Sequence, residues 1–108
     1  MLKRTLLLCA ILFAFGVLTA SAQSDSKTLY VRNCSLCHGM DGHAQTSMGK
    51  ALKAADLTSP VVQSKTDAQL NTQIANGKGK MAGYENILGK KGVEDMVKYV
   101  RTLAPKKQ

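Results

Sequence analysis

The chain has 108 residues, a formal charge of +8 and five aromatic residues, none of them Trp. That length holds one domain and excludes an α/β barrel or a two-lobed enzyme. In chain order, the first element predicted is a secretory signal peptide. Lys3 and Arg4 precede an apolar run over residues 5–20, and Ala20-Ser21-Ala22 supplies the small-x-small exit. Cleavage after Ala22 leaves a domain of residues 23–108; the competing expectation is an uncleaved membrane anchor. Cys9, in mid-run, leaves with the peptide, as do Phe13 and Phe15.

The remaining domain has three aromatics (Tyr30, Tyr84 and Tyr99) and carries 13 basic against 7 acidic residues, a net +6. So small a domain with so few rings needs another group to fill its centre. Its lysines are scattered, which argues for a folded domain with a basic surface. Such a surface suits nucleic acid, anionic lipid or an acidic protein.

Ser24-Asp25-Ser26-Lys27-Thr28 offers capping residues, and Leu29-Tyr30 opens an apolar face, so a short helix runs into the cysteines. Next comes Cys34-Ser35-Leu36-Cys37-His38, a C-x-x-C-H run. Thiols one helical turn apart can add to the two vinyl groups on one edge of a porphyrin, and the adjacent imidazole then reaches the iron. A thioredoxin-like pair would follow a strand, which is missing here. A zinc site would need four ligands, and only His43 is left over. A local disulfide leaves His38 unexplained. The run therefore predicts one covalently attached c-type haem.

After the motif, Gly39, Asp41-Gly42 and Gly49 mark a loop-rich stretch. Ser59-Pro60 predicts one turn of helix. Thr66-Asp67-Ala68-Gln69 has the form of a capping box, Leu70 and Ile74 share a stripe, and Asn76-Gly77 closes that helix. The last helix is predicted from near Gly92, with Val93, Met96, Val97, Val100 and Leu103 on one face and Pro105 beyond its end. No alternating strand pattern occurs. The expected class is all-α with long loops.

The second axial ligand decides between carrier and catalyst. The candidates are Met40, Met48, Met81, Met96 and His43. Met40 is too near His38 to pass round the ring. His43, five residues away, has at most about 17 Å of chain, with no slack for that path. Met96 falls on the apolar stripe. Spacing does not exclude Met48, but Met81 lies in a glycine-rich loop able to approach a flat ring, and is preferred.

At this point the chain resembles the class I bacterial cytochromes c, over nearly all of residues 24–104. The resemblance rests on C-S-L-C-H-G, D-G-H-A-Q, G-K-A-L, G-K-G-K-M-A-G-Y and M-V-K-Y-V-R-T-L. It implies a cytochrome c-like fold of three to four short helices wrapped around the haem. It also implies Cys34 and Cys37 as thioether positions, His38 as proximal ligand and Met81 as distal ligand. Tyr30 and Tyr99 match the aromatics that meet where first and last helices cross. Three positions depart from the pattern. Ala82 stands in place of the proline after the ligand methionine. Gly49-Lys50 stands where a glycine-proline often provides the carbonyl for the proximal imidazole. Ser26 replaces a glycine at the crossing.

The implied function is one-electron transfer between redox proteins by a periplasmic monomer that is not an enzyme and has no stable membrane insertion. Lys50, Lys53, Lys78, Lys80, Lys90 and Lys91 suggest partners with acidic docking patches. The alternative is a haem-based gas sensor or haem enzyme with a displaceable sixth ligand. Nucleic acid binding lacks any recognition motif.

Overall fold

The computed structural model describes residues 21–108; residues 1–20, and with them nearly all of the expected signal peptide, lie outside the described residues. The described chain is helical: α1 (Ser21–Asn33), α2 (Ser35–His38), α3 (Ser47–Leu52), α4 (Pro60–Gln63), α5 (Asp67–Asn76) and α6 (Glu85–Thr102). The all-α expectation stands, with more helical segments than the three to four expected because α2 and α4 are single turns.

Local chemistry sets most of the boundaries. Ser59 accepts from the Val62 N–H at 3.3 Å ahead of Pro60, which has no N–H to lose. Thr66 and Gln69 form the reciprocal capping box, at 2.9 and 3.1 Å, and Gly77 ends α5 at φ +77°. Two helical stretches depart from expectation. α3 lies within the predicted loop; its cap Thr46 accepts from the Gly49 N–H, so the usual Glu or Gln partner is absent and glycine occupies the third position. α6 begins at Glu85 rather than near Gly92. Its first turn is uncapped by any side chain at Tyr84, and Gly89 interrupts it at φ +70°, ψ +170°. The amphipathic part is thus the stretch after Gly89.

That stretch organises the core. Val93, Met96, Val97 and Val100 are buried as the stripe predicts, and Val62, Leu70, Val97 and Val100 form one cluster with Leu57 and Ile74 against it. α1 crosses α6 with Tyr30 and Tyr99 stacked, ring centroids 4.6 Å apart and tilted by 32°. Arg101 ties the α4–α5 junction to α6, donating to the carbonyls of Gln63 (2.9 Å) and Lys65 (2.5 Å) and pairing with Asp67.

Tyr30 also reaches beyond the crossing. Its hydroxyl, in a side chain only 1% exposed, donates to the Gly39 carbonyl at 2.7 Å, just after His38. Burial, then the nearby Cys34, Tyr99 and Asp41, hold its phenol well above the ordinary tyrosine range. Tyr30→Phe keeps the ring stack but leaves that carbonyl without this donor. We expect a loss of about 1–2 kcal/mol in denaturant unfolding; an unchanged midpoint would show the bond to be dispensable.

Candidate functional site

The site is built on α2. Cys34 caps this single turn, Cys37 and His38 lie within it, and Gly39 at φ +78° turns the chain away. Both thiols are free and half-buried. Burial first, then Cys37, raises the Cys34 thiol to about 11, so it is held neutral.

The carbonyl ends of this turn are gripped from α3. The Thr46 hydroxyl lies 2.6 Å from the Leu36 carbonyl and 3.3 Å from that of Cys37. Gly49 packs directly on the turn: a Cβ built there would lie 2.1 Å from the Cys37 carbonyl oxygen. Only a residue without a side chain allows α3 to sit that close.

His38 is oriented through its ring. Nδ1 is 2.9 Å from the Ala55 carbonyl oxygen, which can only accept, so Nδ1 carries the proton and Nε2 keeps a lone pair for a metal. Gly49-Lys50 replaces the family's glycine-proline and left the source of this bond open; the carbonyl that makes it belongs to Ala55, and Gly49 serves the close approach to Cys37.

Met81 stands in the loop between α5 and α6. Its N–H and C=O both pair with Lys78, each at 3.0 Å, closing a tight turn at Gly79. The Tyr84 N–H donates to the Ile74 carbonyl at 2.9 Å and draws the loop's exit back onto α5. Burial first, then the two cysteines, push the Tyr84 phenol above its ordinary range. The other candidate ligands are placed differently. Met96 is 1% exposed in the α1–α6 core, whereas Met40 and Met48 are surface residues at 58% and 42% exposure. His43 is engaged by Asp56 and Thr58.

Sequence reasoning missed Thr46, Ala55 and the Tyr30 hydroxyl as supports of the turn. Thr46 could have been found as a cap three residues before a glycine; a main-chain carbonyl such as that of Ala55 has no side-chain signature.

The donor set fits a covalent haem: two unpaired thiols one turn apart, and a neighbouring imidazole fixed in the tautomer that leaves Nε2 free. Helices and site together define a c-type cytochrome. Residues 21–100 match the family described as cytochrome c oxidase, cbb3-type, subunit III. Cytochrome c6 of Synechocystis sp. is 31% identical over 96 residues, covering 88% of this chain and 78% of that one. Cytochrome c6 of Euglena gracilis is 30% identical over 76 residues, 70% of this chain and 86% of the relative. The solved c-type cytochrome KustC0563 superposes with a TM-score of 0.68 at 28% identity, over 74% of this chain and 98% of its own. The chain belongs to this cytochrome c family. It is a monohaem c-type cytochrome that binds one haem c covalently and carries electrons.

Proposed function

We propose that Cys34 and Cys37 form the thioether links, that His38 and Met81 are the axial ligands, and that the resulting six-coordinate centre works as a one-electron carrier and not as an enzyme. The observation that carries this reading is the His38–Ala55 bond, which commits Nδ1 and leaves Nε2 as the only ring nitrogen able to ligate iron. When bound, the haem supplies the Fe(III)/Fe(II) couple. The polypeptide fixes the imidazole and holds the distal loop by its own main chain. The main-chain pairing of Met81 with Lys78 opposes the gas-sensor alternative, since it holds the loop where Ala82 replaces proline. A thioether ligand favours the reduced state and raises the potential. The near-infrared spectrum of oxidised protein tests the ligation: a weak sulfur-to-iron band is expected, and its absence would remove Met81.

In this reading residues 1–22 are a cleaved signal peptide, and residues 23–108 act in the periplasm as a monomer. No described helix is long and apolar enough to cross a membrane. The redox partners meet a basic surface. Lys50, Lys53, Lys78, Lys80 and Lys90 are exposed, while Lys91 pairs with Asp95 at 2.9 Å. Electron exchange with an acidic partner should slow as salt rises from about 10 mM to 1 M, where screening shortens from about 30 Å to 3 Å. A rate indifferent to ionic strength would remove acidic docking.

A further inference from the structure

We infer that Thr58 is a positioning residue for the proximal ligand, acting through the Asp56 turn to fix the Ala55 carbonyl that receives the His38 Nδ1 proton. The inference rests on the assignment of His38 as proximal ligand and adds what sets the strength of its supporting bond.

The Ala55 carbonyl sits in a segment with no regular structure of its own, between α3 and α4. The neighbouring residues hold it in place. On one side the Ala54 N–H donates to the Gly49 carbonyl at 2.8 Å. On the other, Asp56 closes a turn onto its own chain: Oδ1 accepts from the Thr58 N–H at 2.9 Å and from the Thr58 hydroxyl at 2.7 Å, and the Ser59 N–H reaches the Asp56 carbonyl at 3.2 Å. The Leu57 N–H donates to the Gly42 carbonyl at 2.8 Å, which joins this turn to the stretch leaving α2.

Thr58 is the centre of that arrangement. It is the one polar residue among the buried set of described residues, at 8% exposure. Its hydroxyl both donates to Asp56 and lies 3.2 Å from His43 Nδ1, which in turn is 3.4 Å from Asp56 Oδ2. His43 is tied to the same region by its main-chain N–H, which donates to Asp41 at 3.0 Å. Buried polar atoms with complete partners hold one geometry, and losing one partner is felt by the others. Asp56 is more exposed than Thr58, and it is ionised: the Thr58 hydroxyl is the largest influence keeping its carboxyl below the ordinary range.

The chemical consequence lies at His38. An N–H···O=C bond to a ligating imidazole orients the ring and makes it a stronger donor, which favours the ferric state. A carbonyl free to move makes a weaker bond and a weaker donor, and the reduction potential rises.

Thr58→Val tests this in the holoprotein without altering charge or shape. The expected results are a higher reduction potential and roughly tenfold faster solvent exchange of the His38 Nδ1 proton. Both should return toward wild type in Thr58→Ser, which restores the hydroxyl. A folded Thr58→Val protein with unchanged potential and exchange would overturn the positioning role. If the His38 ring protons of wild-type ferric protein carry no shift from the iron, the ligand assignment fails and the positioning role fails with it. A purely structural role would lower the melting temperature and leave the potential where it was.

Discussion

Met81→Ala should abolish the near-infrared sulfur band of the oxidised protein and lower its reduction potential by roughly 0.2 V, a fraction of the ~0.8 V that axial ligands span across haem proteins. The direction follows from the proposed ligation, in which the thioether is the donor that favours the reduced state. The fold should survive, because the bonds that shape the loop are main-chain contacts between Lys78 and Met81 and do not need the side chain. Far-ultraviolet circular dichroism should therefore match wild type. Ferrous Met81→Ala should take up carbon monoxide promptly, where the wild-type protein resists. Met40→Leu and Met48→Leu are the comparisons that give the result its meaning, since both are exposed methionines. A band that survives in Met81→Ala and disappears in Met48→Leu would transfer the distal role to α3.

How far the sequence foretells this site depends on which atoms do the work. Side chains with a distinctive spacing were legible. The C-x-x-C-H turn, the Thr66–Gln69 box, the Ser59-Pro60 start and the apolar face from Val93 to Val100 all lie where periodicity and capping rules place them. The Tyr30–Tyr99 contact came from family resemblance and is present as a ring stack. Features carried by the backbone were illegible. The Ala55 carbonyl holds His38 because of the path of the chain, and alanine carries no mark of that task. α3 was hidden because its cap is shared: the Thr46 oxygen that receives the Gly49 N–H also donates across to the Leu36 carbonyl, a partner ten residues back. The first turn of α6 was hidden because the apolar stripe begins only at Val93, beyond the break at Gly89, although helical structure lies on both sides of that break. Gly49 is the sharpest case, since it was read as loop punctuation and, by resemblance, as half of a glycine-proline pair. Its use is steric.

Gly49→Ala should be severely damaging, costing roughly 3–5 kcal/mol of stability and most of the covalently attached haem. The added carbon would lie 2.1 Å from the Cys37 carbonyl oxygen and 2.9 Å from both the Ala44 carbonyl and the Thr46 hydroxyl. Two of those three are main chain, so no rotamer change relieves the overlap. α3 must lift from α2, which also breaks the hold of Thr46 on the Leu36 and Cys37 carbonyls. A domain with a total stability of about 5–15 kcal/mol has little margin for such a loss. Gly89→Ala separates backbone preference from steric overlap: Gly89, unlike the helical Gly49, has a positive φ, and a Cβ there meets nothing within 4 Å. That variant should lose only about 1–3 kcal/mol and keep its full haem content. The two proteins can be compared by chemical unfolding and by the fraction of pigment that stays with the polypeptide in acidified acetone. Equal losses in both would mean that α3 does not rest on the haem-binding turn, and the grip on Cys37 would have to come from Thr46 alone.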